Sequence, residues 1–191
     1  LYLNEYRQAF SKGFLTLDTS YTEGFKNTST KKPKGSRNHI FGNFDWNFSK
    51  DDSYESNLLI NVERTSNDTY FRKHNINTTL VNAENTNLTN KISYDYVNDD
   101  SYLNIQTNVY ENLRGSTNAR YEYVLPSILF GKTFFTEKYG SFDFKSNALH
   151  NNYEVNKYKT VFNNDLIWKP GKYLSANGFV SSFEGMLRNS N

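Results

Sequence analysis

Apolar and polar residues alternate with a period of two through most of this chain, and this pattern restricts the fold more than any other feature. In the stretch FLTLDTSYTEGF, Leu15, Leu17 and Tyr21 alternate with Asp18 and Ser20. Successive side chains of a β-strand point to opposite faces of a sheet, so each such stretch predicts a strand with one apolar and one polar face. Helical periodicity is almost absent. The sequence therefore predicts an all-β fold.

The same pattern predicts long strands joined in order as an antiparallel meander. They are expected near residues 2–10, 13–25, 36–49, 53–65, 88–98, 101–113, 119–130, 140–150, 158–169 and 174–188. Most reach the length, roughly ten residues, that a tilted strand needs to cross a bilayer. Short turns near Ser11, Ser49 and Asn98 alternate with longer connectors at 26–37, 65–87 and 114–119, as in outer-membrane hairpins. We expect an open, curved segment of a large outer-membrane β-barrel, whose first and last strands are not paired with each other.

A barrel of this kind turns its apolar faces to lipid and its polar faces to a wet lumen. The side chains expected to face lipid are Leu15, Leu17, Tyr21, Phe44, Trp46, Leu58, Ile60, Val62, Ile105 and Val109. Those expected to line the lumen are Asp18, Asp45, Asn61, Asn104, Gln106 and Asn108. Replacing Ile60 by Arg should then impair assembly, whereas Asn61→Arg should be tolerated.

Aromatic residues gather beside the short turns, and 17% of the chain is aromatic. The flanking residues are Phe10 and Phe14, Phe48 and Tyr54, Tyr96 and Tyr102, Phe130 and Phe134, and Trp168 and Tyr173. On a membrane barrel such a row forms a girdle at the membrane–water interface. Antiparallel soluble sheets also alternate and carry aromatic pairs, but the strand length and the Asn- and Asp-rich polar faces favour the barrel.

Motifs for catalysis, cofactors or metals do not stand out in the sequence. His39, His74 and His150 lack the spacing of metal ligands, so we expect them at the surface or in loops. We expect no enzyme, no catalytic residue and no cofactor. The basic run TKKPKGSR, Thr30 to Arg37, is expected to be a solvated loop and not a nucleic-acid site, because the net charge of the chain is only +2.

The stretch RTSNDTYFRKHN follows a predicted strand and resembles a signature of one known family. Ser66, Asp68, Tyr70 and Phe71 match the pattern V-S-D-x-x-Y-F-x-D-F, with Asn67 as an insertion and with Lys73 and His74 in place of its acidic ending. The signature is that of the LptD family, the lipopolysaccharide-assembly outer-membrane proteins also called organic solvent tolerance proteins. LNEYRQAFSKGFLTLD, GSRNHIFGNFDWNF, ARYEYVLPSILFGK and the closing FKSNALHNNYEVNKYKTVFNNDLIW are similar to further pieces of that family, in the same order.

The resemblance implies a translocon and not an enzyme, located in the outer membrane of a Gram-negative bacterium. Such proteins work with a lipoprotein plug and a periplasmic bridge to deliver lipopolysaccharide to the outer leaflet. Residues 1–191 would then form part of a single transmembrane β-barrel domain, without the periplasmic jelly-roll domain, the terminal barrel strands, the gate prolines or the disulfide cysteines of the family. The signature stretch, including Arg72, would lie in an extracellular loop that caps the lumen, where Tyr70, Phe71 and Arg72 could order it by stacking and pairing.

Two alternatives stay open. The chain could belong to another outer-membrane barrel, such as a porin or a receptor, which would show the same strands. It could also be a soluble β-sandwich that binds carbohydrate, which would fold without detergent. The chain begins at Leu1 and its one Met is Met186, so we expect it to be an internal fragment of a longer protein.

Overall fold

The computed structural model describes residues 1–25, 35–49, 53–115, 119–153 and 157–191, and a ten-stranded antiparallel sheet makes up most of them. Its strands are β1 (Tyr2–Phe10), β2 (Gly13–Phe25), β3 (Gly35–Asn47), β4 (Tyr54–Thr65), β5 (Asn87–Asn98), β6 (Ser101–Asn112), β7 (Tyr121–Thr136), β8 (Gly140–Tyr153), β9 (Lys157–Lys169) and β12 (Gly185–Ser190). The short strands β10 (Tyr173–Leu174) and β11 (Val180–Ser181) pair only with each other. A five-residue helix, α1 (Tyr70–His74), interrupts the connection between β4 and β5.

The sheet is a meander that does not close into a barrel. Its strand order is β1 to β9 followed by β12, and every pairing is between neighbours in sequence apart from the excursion through β10 and β11. Among the described strands, β1 and β12 are not paired with each other and form the two edges. The predicted all-β class, the meander and the open sheet are confirmed.

The last predicted strand, 174–188, is wrong. The chain instead leaves the sheet after Lys169, forms the β10–β11 ribbon, and returns as the six-residue β12 opposite β9. The alternation of short and long connectors also fails in the C-terminal part of the chain. A long connector was expected between β8 and β9, but only residues 154–156 separate them. A short turn was expected after β9, but residues 170–184 separate β9 from β12. Turn-forming Gly171, Asn177 and Gly178 interrupt the strand pattern here.

The pairing register divides the sheet into two unlike faces, because residues directly opposite each other on adjacent strands project to the same side. Ile60 on β4 lies opposite Phe44 and Ile92. The next residue, Asn61, lies opposite Asn43 and Lys91. Followed across the sheet, the register groups the first set with aliphatic and aromatic side chains, which we call the apolar face. It groups the second set with amides and charged side chains, which we call the polar face.

Within the described ranges, a hydrophobic core forms only where residues 66–86, hereafter the 66–86 segment, fold back onto the sheet. The buried members of this core are Phe41, Tyr70, Phe71, Ile76, Val81, Leu88 and Leu113, with Leu80 packed against them. A single sheet cannot bury both of its faces, so a core requires a second layer. The 66–86 segment provides that layer over part of the polar face.

Among the described residues, no helix has the length and apolar character of a membrane-spanning helix.

Candidate functional site

Four polar side chains form a buried relay beneath the 66–86 segment. His39 Nε2 lies 2.9 Å from Asp18 Oδ1, His39 Nδ1 lies 2.5 Å from Ser20 Oγ, and Ser20 Oγ lies 2.8 Å from the Tyr70 hydroxyl. Asp18 and Tyr70 are 1% exposed, His39 2% and Ser20 4%. Ser20 and His39 face each other across the β2–β3 ladder, so the sheet brings three of the groups together and α1 brings the fourth.

One arrangement of protons satisfies every donor in this relay. If His39 carries its proton on Nε2, that N–H donates to Asp18, and Nδ1 accepts from the Ser20 hydroxyl. Ser20 Oγ in turn accepts from the Tyr70 hydroxyl. Buried polar groups are costly unless they are hydrogen-bonded, so each member depends on the next. The relay therefore joins α1 to β2 and β3 by a continuous set of hydrogen bonds.

The relay contains the aspartate, histidine and serine of a hydrolytic triad, but its geometry indicates an anchor. A nucleophilic serine must reach a substrate, whereas Ser20 is buried and its oxygen is already shared between His39 and Tyr70. The aromatic rings of Tyr70 and Phe71 cover the imidazole, with centroids 6.1 and 5.4 Å from that of His39. This arrangement therefore holds the 66–86 segment on the polar face of the sheet.

A second anchor holds the 66–86 segment to the β6–β7 connection. Arg120 donates from Nη1 and Nη2 to the two carboxylate oxygens of Asp68, at 3.0 and 2.6 Å, and from Nε to Glu111 at 2.9 Å. The Tyr121 hydroxyl also donates to Glu111, at 3.0 Å. Hydrogen bonds from Arg120 lower the pKa of Asp68, and those to Asp68 and Glu111 raise the pKa of Arg120. Planar, bidentate guanidinium–carboxylate pairs of this kind specify geometry as well as charge.

A third anchor holds the segment to the first strand. Thr79 Oγ1 donates to Glu5 Oε2 at 2.9 Å and accepts from Arg7 Nη2 at 2.5 Å. Glu5 lies opposite Asp18 in the β1–β2 register, so it shares the polar face. The three anchors together fasten the 66–86 segment to elements from β1 to β7.

The backbone of α1 orients its side chains toward and away from the sheet. The helix ends at His74, and Asn75 caps it in the left-handed conformation, with φ of 48°, which Asn tolerates better than most residues. Tyr70 and Phe71 are buried against the sheet, whereas Arg72 is exposed. Burial, and then nearby positive charge, lowers the pKa of His74, whose ring packs 5.0 Å from that of Tyr70.

Three of the four residues on which the resemblance to the signature rests are held by the anchors or by the core. Asp68 pairs with Arg120, Tyr70 joins the relay and Phe71 joins the core. Ser66 joins the end of the β3–β4 pair, where Asn38 N–H donates to its Oγ at 2.8 Å. The expectation that Arg72 orders this stretch finds no support, because its side chain is exposed and Arg120 provides the pairing with Asp68.

The residues expected to line a lumen all lie on the polar face. Asp18 is in the relay and Asn108 is buried, whereas Asp45 and Gln106 are half-buried. Asn104 donates to Asp95 at 2.5 Å. Asn61 donates to the Thr89 carbonyl at 2.7 Å, so its amide also holds β4 to β5.

The expectation that His39 lies at the surface is wrong. Its ring is buried because β3 places it beside Asp18 and because α1 covers it. Sequence reasoning also missed Ser20, Arg120 and Thr79 as partners of the 66–86 segment. The available signal for His39 was its position in a strand, where alternation with Ile40 assigns it to the polar face, next to Asp18 and Ser20.

Aromatic side chains gather at both ends of the apolar face. Near the short turns, Phe10 and Phe44 pack on Trp46, with ring centroids 5.7 and 5.8 Å away, and Tyr54 stacks on Tyr96 at 5.6 Å. Further members of this short-turn belt are Phe48 with Tyr94 and Phe142 with Trp168. At the opposite end, Tyr121 stacks on Tyr123 and His150 stacks on Tyr158.

Phe14 and Tyr102, which were expected in the same row, lie on the polar face. Phe14 is opposite Asp45, and Tyr102 is opposite Val97 and Gly131. The residues that directly flank a two-residue turn are paired and share a face, as Phe10 and Gly13 do. Phe14 and Tyr102 are each the second residue after such a turn, so alternation along the strand places them on the other face. Phe10 is therefore in the belt while Phe14 is not.

Metal and nucleic-acid sites receive no support from the described part of the chain. Within it, no group of three or more His, Asp or Glu side chains is arranged to hold a metal ion. Residues 30–34 of the basic run lie outside the described residues. Comparison with protein-family models, with curated proteins and with solved structures found no match.

Proposed function

We propose that this chain is a segment of an outer-membrane β-barrel whose apolar face contacts lipid and whose polar face lines the lumen. The observation that carries the proposal is the two-faced sheet, on which one face is apolar and uncovered and is bounded by aromatic side chains at both ends. Transmembrane barrels have this arrangement, an outward apolar band with an aromatic girdle at each interface.

The exposed side chains of the apolar face support a lipid environment. Ile40, Val62 and Ile92, on three strands, are 47%, 42% and 52% exposed. Soluble monomers rarely expose a continuous apolar patch of more than a few hundred Å². Against lipid, the same surface needs no protein cover, and a paired sheet leaves few backbone groups without a partner.

The height of the apolar band also supports a transmembrane barrel. Tyr158 and Trp168 mark the two ends of the band on β9 and lie ten positions apart on the same face. At about 3.3 Å per residue, this separation is roughly 33 Å along the strand. A strand tilt of about 40° reduces it to roughly 25 Å along the membrane normal, which is the height of the band in such barrels.

Most turns at the belt end are short, and in outer-membrane barrels the short turns face the periplasm. The 66–86 segment then enters from the extracellular end and folds over the polar face. In this orientation its three anchors close part of the lumen. Porins keep a water-filled channel, whereas this connector is fastened across the polar face from β1 to β7. This feature therefore favours a gated or plugged barrel.

We further propose that the barrel belongs to the lipopolysaccharide-assembly LptD family. The cargo would then be lipopolysaccharide, and the partners would be a lipoprotein plug and a periplasmic bridge. Support comes from the residues of the signature stretch, because Asp68, Tyr70 and Phe71 make long-range contacts that hold the 66–86 segment, together with Thr79. A motif that determines how a connector packs can recur in a family even when the strands vary.

The barrel proposal is tested by two arginine substitutions at the same level of the sheet. Ile92 lies opposite Ile60 on the apolar face, and Gln106 lies on the polar face opposite Ser93, the residue next to Ile92. Arg near the bilayer midplane costs about 2–4 kcal/mol, so Ile92→Arg should strongly reduce the folded protein in the outer-membrane fraction. Gln106→Arg should assemble normally, and it is a cleaner control than Asn61→Arg because Asn61 bonds to Thr89. Equal assembly of the two variants, or a water-soluble intact protein, would contradict the barrel.

The family proposal needs a separate measurement in the source bacterium. Depletion of the intact protein should decrease lipopolysaccharide at the cell surface, and the lipid should accumulate at the inner membrane. Complementation with the unsubstituted protein should restore surface lipopolysaccharide. If depletion instead abolishes uptake of a solute and leaves surface lipopolysaccharide unchanged, the porin or receptor alternative is correct.

A further inference from the structure

Residues 170–184, hereafter the 170–184 hairpin, leave the sheet between β9 and β12 at the short-turn end. Tyr173 pairs with Ser181 and Leu174 pairs with Val180. The turn is closed by Gly178 N–H, which donates to the Ser175 carbonyl at 3.0 Å, and Gly178 has a φ of 83° that favours glycine. Every other described connection at this end is a shorter turn. The excursion therefore requires an explanation other than joining two strands.

Large apolar side chains of this hairpin project into the surroundings. Phe179 is 76% exposed, and Tyr173, Leu174, Val180 and Phe183 are 62–68% exposed. The paired residues Leu174 and Val180 lie on one side of the ribbon and Tyr173 on the other, because alternate residues of a strand project to opposite sides. Turns exposed to water consist mainly of Gly, Pro, Asn, Asp and Ser. Five large apolar side chains exposed to water in one hairpin are unfavourable.

The hairpin is continuous with the short-turn belt of the apolar face. The ring of Phe183 packs edge-on against Trp168 at 5.7 Å, and Trp168 stacks on Phe142 at 6.2 Å. Trp168 is fixed in place because its Nε1 donates to the Tyr139 carbonyl at 2.6 Å. The hairpin thus begins at the level where the proposed barrel meets the interface.

The charges near the hairpin do not select an anionic partner. Lys172 and Glu184 contribute one charge of each sign, and both are exposed. Lys169 turns toward the polar face, where its ammonium group lies 2.7 Å from Asp143. The hairpin would therefore bind its partner mainly by burying apolar and aromatic side chains, and net charge would contribute little.

We propose that the 170–184 hairpin inserts into the headgroup–acyl boundary of the phospholipid leaflet at the short-turn end of the barrel. This inference rests on the proposed membrane barrel. A ribbon with apolar side chains on both sides suits a medium that surrounds it, whereas a docking site for a folded protein needs only one apolar side. The boundary also retains water, which satisfies the backbone groups of a two-residue ribbon.

Single cysteines carrying an environment-sensitive fluorophore test the proposal in the intact protein, reconstituted into phosphatidylcholine vesicles with spin-labelled lipids. Residues 1–191 contain no cysteine, so an introduced thiol is the only one among them, and the unsubstituted intact protein is labelled in parallel to measure the background. The test site is Phe179→Cys. The matched control is Lys138→Cys, in the exposed β7–β8 turn at the same end of the sheet. A third site, Ile92→Cys, reports whether the apolar face contacts lipid.

The label at 179 should shift its emission to the blue, resist iodide in the aqueous phase, and be quenched by spin labels near the headgroup more than by labels deep in the acyl chains. The label at 138 should remain accessible to iodide. Adding anionic lipid should change none of these results. Iodide quenching at 179 equal to that at 138, with lipid quenching retained at 92, would overturn the hairpin inference alone. Loss of lipid quenching at 92 as well would overturn the barrel. Protection at 179 that appears in cell envelopes but not in pure lipid would overturn lipid insertion and indicate a protein partner.

Discussion

His39 on β3 lies directly opposite Ser20 on β2, and its Nδ1 is 2.5 Å from Ser20 Oγ in a fully buried position. Both side chains project from the polar face of the sheet. The pair becomes buried only because Tyr70 and Phe71 lie over it. The relay and the 66–86 segment therefore stabilise each other.

Removal of the Tyr70 hydroxyl should loosen the 66–86 segment. Tyr70→Phe retains the ring but removes the hydrogen bond to Ser20, so we expect a loss of about 1 kcal/mol in the free energy of unfolding. Limited proteolysis of the intact protein in detergent should show faster cleavage within 66–86. Tyr110→Phe, at an exposed tyrosine outside the relay, is the control. Equal cleavage of both variants would show that the relay does not hold the segment.

Neighbouring positions of α1 should differ sharply in their tolerance to truncation. Phe71 is buried against Phe41, with ring centroids 5.3 Å apart, whereas Arg72 is exposed. Phe71→Ala should cost about 3–5 kcal/mol through lost burial and the cavity left behind. Arg72→Ala should remain within about 0.5 kcal/mol of the unsubstituted protein. Urea unfolding in detergent measures both, and a large effect at Arg72 would instead support its predicted ordering role.

Acid should weaken the anchor between Asp68 and Arg120. Hydrogen bonds from Arg120 lower the pKa of Asp68 in the folded protein, so this carboxylate contributes stability above the pKa it has when unfolded. That contribution is lost as the pH falls through the lowered value, below about pH 4. Hydrogen exchange of the 66–86 segment, corrected for intrinsic rates, should then accelerate.

Asp68→Asn provides the reference for this pH dependence. It should exchange faster than the unsubstituted protein at neutral pH and show less additional acceleration in acid. Asp68 is partly exposed, so the effect should be local and modest, and salt should reduce it. Identical pH profiles for the two proteins would exclude the pair as an acid-sensitive anchor.

Gly131 should resist enlargement because an aromatic ring covers it. It lies opposite Tyr102, and a Cβ added at position 131 would overlap the Tyr102 ring. Gly131→Ala should therefore cost about 1 kcal/mol or more, since crowding forces the ring to move. Tyr102→Ala removes this ring, so Gly131→Ala should lower the free energy of unfolding less in the Tyr102→Ala background than in the unsubstituted protein. If the two single costs simply add in the double variant, the ring does not limit position 131.

The sequence by itself determined the all-β class, the order of the strands and the division of side chains such as Ile60 and Asn61 between two faces. These properties are local, because alternation of period two specifies which side of a sheet each residue occupies wherever the strand pairs. Tertiary structure decided the rest. Asp18, Ser20, His39 and Tyr70 meet only because the 66–86 segment folds back over β2 and β3, and Arg120 meets Asp68 across 52 positions of chain. No local pattern encodes the path of a connector, since its conformation depends on contacts with distant residues. The same limit explains why 174–188 read as a strand, although its turn residues and bulky apolar groups form a hairpin beside Trp168.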